Sequence, residues 1–265
     1  SAQLTKGNPE REISPEESRT LTQSEVAKAR QRLNVYDDPL LVLKSCDGYY
    51  CSPQNEKPLG PLVAYAGTYE SGDGPKNYVG FEYFNFARAE ANSEARSFFA
   101  ERIALEISLA GIQCDLAVGA PMGGILLSGS LSDKLSCRSI FAEKKILGLA
   151  NPAQGQKEQS QLVIDRHEIS NGDRVIIVED VCNNFSTTQK LEDLIEERGG
   201  ELVAIVCAIN RSGHKEWNGI PVLSAAYLPS KQWRQDDPEV ADLIAAGSIV
   251  WKPKAEWAKL KAAMG

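Results

Sequence analysis

Histidine is nearly missing from this chain of 265 residues, which holds only His167 and His214. Two imidazoles so far apart exclude a histidine-built metal site and leave Ser-His or Cys-His nucleophilic catalysis a poor fit. Paired cysteines are missing too. Cys46, Cys51, Cys114, Cys137, Cys182 and Cys207 are scattered, and no C-x-x-C occurs. Nothing completes a zinc site, so we read them as reduced, mostly structural thiols. An excess of positive charge is also absent: Lys and Arg number 29 against 36 Asp and Glu, a net charge of -7 with a pI near 5.1. Without a basic field, general binding to nucleic acid or an anionic membrane is not expected. No apolar run approaches the roughly 18 residues of a membrane span. The polar start SAQLTKGNPEREISPEES has no signal-peptide core. We therefore expect a soluble, cytoplasmic protein.

What is present is ordinary globular material, 42% hydrophobic and 25% charged, long enough for one large domain and an extension. Residues 1–64 read as an N-terminal arm, with a short helix capped by Ser24, running into a turn-rich segment. Residues 65–265 read as the main domain. Ser93 is placed to cap a helix carrying Phe99, Ile103 and Ile107 at helical spacing, which Gly111 stops. A strand from Asp115, a glycine turn and the helix ILLSGSLSDKL follow, then a strand at Ser139–Phe141. Residues 148–161 are almost devoid of apolar side chains and read as a long mobile loop. The apolar runs RVIIV and ELVAIVCAI flank another helix, and a further strand lies near Val222. Alternating strands and helices with short connections predict an α/β parallel sheet. Trp233, Trp251 and Trp257 are expected to anchor a polar helical C-terminal end.

Ligands of such sheets bind beyond the carboxyl ends of the strands, often at a helix N-terminus. Three features fall there. The strand RVIIV is read as ending at Val178 and delivering Glu179 and Asp180 to its end. The loop Cys182–Phe185 then opens a helix at Ser186-Thr187-Thr188. Two carboxylates can accept hydrogen bonds from a sugar diol or face a metal, and hydroxyls with backbone amides suit a phosphate. The plainer reading is that Asp180 caps the turn and Ser186 caps the helix. The second feature, Gly119–Gly124, allows close approach of backbone amides to an anion, or serves only as a tight turn. It is neither G-x-G-x-x-G nor a Walker A loop. The third is Lys144 in FAEKK, placed to clamp a diphosphate or to sit in a solvated charge run.

Taken together, DLAVGAPMGGILLSGSLSDKL, RSIFAEK, NGDRVIIVEDV, VCAINRSG and DDPEVADLIAAGSIVWKPK resemble, in order and spacing, the type I phosphoribosyltransferases, and more narrowly their orotate branch. SGDGPKNYVGFEYFNF is a looser match. The resemblance covers about Tyr65 to Lys259. It implies that family's fold, a central parallel sheet flanked by helices with a mobile hood loop, here preceded by the N-terminal extension. It also implies transfer of phosphoribosyl from PRPP to orotate, giving orotidine 5'-phosphate and pyrophosphate. By the same resemblance Glu179 and Asp180 hold the ribose hydroxyls, while Asn183, Asn184, Phe185, Ser186, Thr187 and Thr188 hold the 5-phosphate. Met122, Gly123 and Gly124 face the pyrophosphate with Lys144, and Lys157 is the hood cation. Asn183, Arg211, Lys76 and Tyr78 meet orotate. Mg²⁺ arrives with PRPP, Asp180 being the candidate protein contact, and a homodimer is expected. The family's PRPP loop reads T-T-G-G-S or similar, and here Phe185 stands in place of a loop glycine. A PRPP- or nucleotide-binding regulator without turnover, and a transferase for another base, are the alternative readings.

Overall fold

The computed structural model describes residues 19–20, 33–149, 151, 153 and 158–264. The helix expected after Ser24 lies outside the described residues, as does Lys157. In chain order the elements are α1 (Pro39–Ser45), β1 (Tyr49–Cys51), β2 (Leu62–Ser71), β3 (Gly74–Gly80), β4 (Glu82–Phe84), α2 (Phe86–Glu90), α3 (Ser93–Leu109), β5 (Leu116–Gly119), α4 (Ile125–Leu135), β6 (Arg138–Phe141), β7 (Glu143–Gly148) and β8 (Gln159–Val163). They continue with β9 (Arg174–Cys182), α5 (Ser186–Glu197), β10 (Glu201–Asn210), β11 (Glu216–Trp217), β12 (Ile220–Tyr227), β13 (Gln232–Trp233), α6 (Ala241–Ala245), β14 (Ile249–Val250) and α7 (Trp257–Met264). No helix among the described residues is long and apolar enough to cross a membrane.

Two compact units emerge. One joins the chain up to Ala89 with Arg211–Gly213 and Leu228 onward; the other holds Glu90–Asn210 and His214–Tyr227. The expected boundary after residue 64 falls inside β2. The polar turns there hid a ten-residue strand that pairs with the next strand, β3, and with the distant β14.

In the second unit the sheet order is β11-β12-β10-β9-β5-β6. All neighbours are parallel except the short edge strand β11. The apolar runs of β5, β9 and β10 are buried except at Val203, as strands covered on both faces require. Val175 and Ile177 of β9 and Ile205 and Cys207 of β10 pack with Leu191 and Ile195 of α5. α3 and α4 also pack against the sheet, and Phe99, Ile103 and Ile107 of α3 are buried. The cap of α3 is Asn92 rather than Ser93; its Oδ1 accepts the N–H groups of Glu94 and Ala95, each at 3.0 Å. Gly111, at φ 66°, follows the helix end.

The segment read as a long loop is not all loop. Its two ends belong to an antiparallel ribbon, β7 paired with β8. Most side chains of both strands face solvent, so no apolar alternation betrays them.

In the first unit β13-β3-β2-β14 form a four-stranded sheet, and β1 pairs with β4. Alternation along β2 sends Val63 and Tyr65 to a cluster with Tyr50, Val250 and Trp257, and Leu62 to one with Val79, Trp233 and Val240. Trp233 and Trp257 therefore anchor the C-terminal segment as expected, whereas Trp251 is 47% exposed and does not. Tyr65 lies flat over Gly80, where a Cβ would collide with its phenol, and its hydroxyl donates to the Glu82 carbonyl at 2.6 Å. Gly80→Ala is expected to displace this ring and cost about 2 kcal/mol, in the range of other overpacked cores. Urea unfolding checks it; an unchanged midpoint would contradict the packing described.

Candidate active site

The second unit's sheet reverses its winding between β5 and β9. From β5 the chain moves outward to β6, and from β9 it moves the other way to β10 and β12. At such a reversal the connections after the two central strands diverge and leave a crevice. β5 ends at Gly119 opposite Val178, but β9 runs on to Cys182, its last residues paired only with β10. The turn after Gly119 bends over this overhang. The Ala120 N–H donates to the Val178 carbonyl at 2.9 Å, and the Gly124 N–H donates back to Ala120 at 2.9 Å. Gly123 lies so close to Asp180 that any Cβ there would strike the carboxylate. The Pro121–Met122 peptide is cis, and Met122 is 81% exposed.

Glu179 and Asp180 thus sit within β9 rather than beyond it. The apolar run stops at Val178, but the strand continues because β10 still offers partners, Cys207 opposite Glu179 and Asn210 opposite Cys182. Neighbours on a strand point to opposite faces, so the acids diverge. Asp180 turns to the glycine turn, and its Oδ1 also accepts the Val181 N–H at 2.8 Å. Burial, and then the charge of Asp180, push the Glu179 carboxyl up to about 8. At neutral pH Glu179 can therefore donate a hydrogen bond.

The loop after β9 leads into α5. Phe185 precedes the helix at φ 58°, the left-handed region that glycine favours, at a cost of about 1–2 kcal/mol for a side chain. Its ring is buried and stacks on Trp217, centroids 6.1 Å apart, which removes the bulk from the loop's open side. Ser186 is the first helical residue and not the cap. Its N–H donates to Asn184 Oδ1 at 3.2 Å. No acidic residue lies in the first turn of α5, so its positive end is left for an anion. Asn183 and Thr187 are half-buried, Ser186 is exposed and Thr188 is buried. Lys144 lies on the ribbon strand β7, not at a strand end, and pairs with Glu158 at 2.8 Å.

Three expected base contacts belong to the first unit. Lys76 is loosely tied to Asp73 at 3.5 Å, and Tyr78 packs on Tyr69 with centroids 5.0 Å apart. Arg211 is only 8% exposed and its guanidinium lies 3.5 Å from the centre of the Tyr65 ring. Its buried Nε and Nη2 have no hydrogen-bond partner among the described residues. These two atoms form the side-on fork that matches a carboxylate. Tyr65 and Glu82, which surround this arginine's support, were not singled out from sequence; an acid inside the aromatic run GFEYF was the available signal.

Because Glu179 binds its proton more tightly folded than unfolded, its contribution to stability is full at acid pH. It falls as pH rises from the ordinary carboxylate range towards about 8. Across that window the melting temperature of the ligand-free protein is expected to fall relative to Glu179→Gln. Parallel pH profiles of the two proteins would contradict the protonated state.

Residues 92–223 match the family model "Phosphoribosyl transferase domain". The chain is 29% identical over 173 residues to the orotate phosphoribosyltransferase of Carboxydothermus hydrogenoformans, covering 65% of this chain and 82% of that one. It is 30% identical over 141 residues to the enzyme of the same name from Caldicellulosiruptor saccharolyticus, covering 53% of this chain and 66% of the relative. Among solved structures, the orotate phosphoribosyltransferase of Aeropyrum pernix is 18% identical with a TM-score of 0.49, over 71% of this chain and 92% of that one. The sheet reversal with its two turns and the match over residues 92–223 agree: the chain carries a phosphoribosyltransferase domain of the type I fold.

Proposed function

We propose that the protein is an orotate phosphoribosyltransferase, forming orotidine 5'-phosphate from PRPP and orotate. The observation that carries the choice of base is the buried, unpartnered fork of Arg211. A guanidinium held out of water needs an anion, and orotate brings a carboxylate where a neutral purine brings none. That requirement also weighs against a transferase for a purine.

In the reaction the bond from ribose C1 to pyrophosphate oxygen breaks and its electron pair leaves with pyrophosphate. Orotate N1 forms the new bond to C1, and its N1 proton is lost to solvent or to the leaving pyrophosphate. The ribosyl group is cation-like between these events, so the protein's contribution is position and electrostatics rather than a nucleophile. In this reading the amides opening α5, with Ser186 and Thr187, hold the 5-phosphate, and Glu179 and Asp180 take the ribose hydroxyls. The Gly119–Gly124 turn and Lys144 meet the pyrophosphate, and Lys157 is the proposed hood cation. No cluster of three or more metal-ligating side chains exists among the described residues. Mg²⁺ therefore fits only as an ion carried by PRPP's own oxygens, with Asp180 as a single contact, and its chemistry is neutralisation of the leaving group. A cytoplasmic homodimer is the proposed setting.

The regulator reading drew on Phe185, but its ring is buried and stacks on Trp217. The test is incubation with PRPP, Mg²⁺ and orotate, following loss of orotate absorbance. Turnover is expected, and Asp180→Asn is expected to lower kcat/KM by about 10- to 100-fold, the value of a charged hydrogen bond. Turnover with a purine only, or PRPP binding without turnover, would overturn the assignment.

A further inference from the structure

Glu82 is a charged residue that the chemistry above does not use, yet it is completely buried. Its carboxylate is saturated. Arg19, from the segment ahead of the matched family region, takes it side-on, Nε to Oε2 at 3.1 Å and Nη2 to Oε1 at 3.1 Å. The hydroxyls of Tyr49 and Ser230 donate to the same two oxygens. Glu82 and Arg211 also share neighbours. The Glu82 carbonyl fixes the hydroxyl of Tyr65, whose ring supports the Arg211 guanidinium. Ser230, bonded to Glu82 through its hydroxyl, donates its N–H to the Arg211 carbonyl at 3.3 Å. A buried acid and a buried arginine that share two neighbours attract each other unless one of them is already neutralised. Here the acid is neutralised, and by a different arginine, while the fork of Arg211 stays open. Burial would loosen the Arg19 proton, but its hydrogen bonds to Glu82 and that charge hold it more tightly than usual.

We propose that Arg19 is a positioning residue for the base site: by occupying Glu82 it keeps the Arg211 fork free on Tyr65 for an anionic base. This rests on the reading of Arg211 as the receptor for the base carboxylate. It gives the N-terminal segment a part in substrate choice.

The test uses the full chain in two readouts. In a crystal structure of Arg19→Gln without substrates, Arg211 is expected to leave Tyr65 and pair with Glu82. In kinetics the KM for orotate is expected to rise about tenfold, as a competing internal ion pair requires, with the KM for PRPP unchanged. Adding Glu82→Gln to Arg19→Gln removes the competing charge and is expected to return Arg211 to Tyr65 and the orotate KM towards wild type. Arg211 remaining on Tyr65 in Arg19→Gln, or a double variant as impaired as Arg19→Gln, overturns the proposal. Should Arg19→Gln not fold, the double variant decides alone: a near-wild-type orotate KM supports charge balancing, and a raised one overturns it. Arg211→Gln with an unchanged orotate KM would instead overturn the base reading, and the substrate-free structure would still judge Arg19.

Discussion

The placement of β9 between β5 and β10 governs the second unit. Parallel pairing on both sides buries Val175–Val178 completely and makes the strand a fixed reference. Because β5 stops opposite Val178, the overhang Glu179–Cys182 has a partner on one side only. That single mismatch in length creates the crevice. It brings the glycine turn onto Asp180 and lets the loop after Cys182 turn directly into α5.

In the proposed function a net charge of -7 makes a polyanionic substrate an electrostatic problem. In that reading the answer is local, with backbone amides at two turns and few cations. Lys144 is already paired with Glu158. Glu179 keeps its proton near neutrality, and Glu82 is neutralised by Arg19 inside the first unit. Arg211 is the buried cation whose fork was left open.

Much of the second unit was legible because its elements are apolar runs closed by glycine. Ile125–Leu135 was read residue for residue, and the strands following Asp115, Arg174 and Glu201 were found to within a few positions. The errors have physical causes. Glu179 and Asp180 looked like a strand end because hydropathy marks burial, while the ladder to β10 is a backbone matter. The ribbon β7–β8 buries little on either face, so its sequence carries no alternation. The first unit was hardest. Its sheet gathers residues 62–80, 232–233 and 249–250, and pairings that distant leave no local pattern. Arg211 was identified through family resemblance, but its open fork, Tyr65 beneath it and the Arg19–Glu82 pair are visible only in three dimensions.

The central claim is that backbone amides at the ends of β5 and β9 take the phosphates of PRPP. Hydrogen–deuterium exchange, read residue by residue with and without PRPP and Mg²⁺, addresses it directly. The account predicts slowed exchange in two segments together, 119–124 (outside Pro121) and 184–187, with little change at the far ends of the same strands. Protection confined to other segments, or none at saturating PRPP, would contradict it.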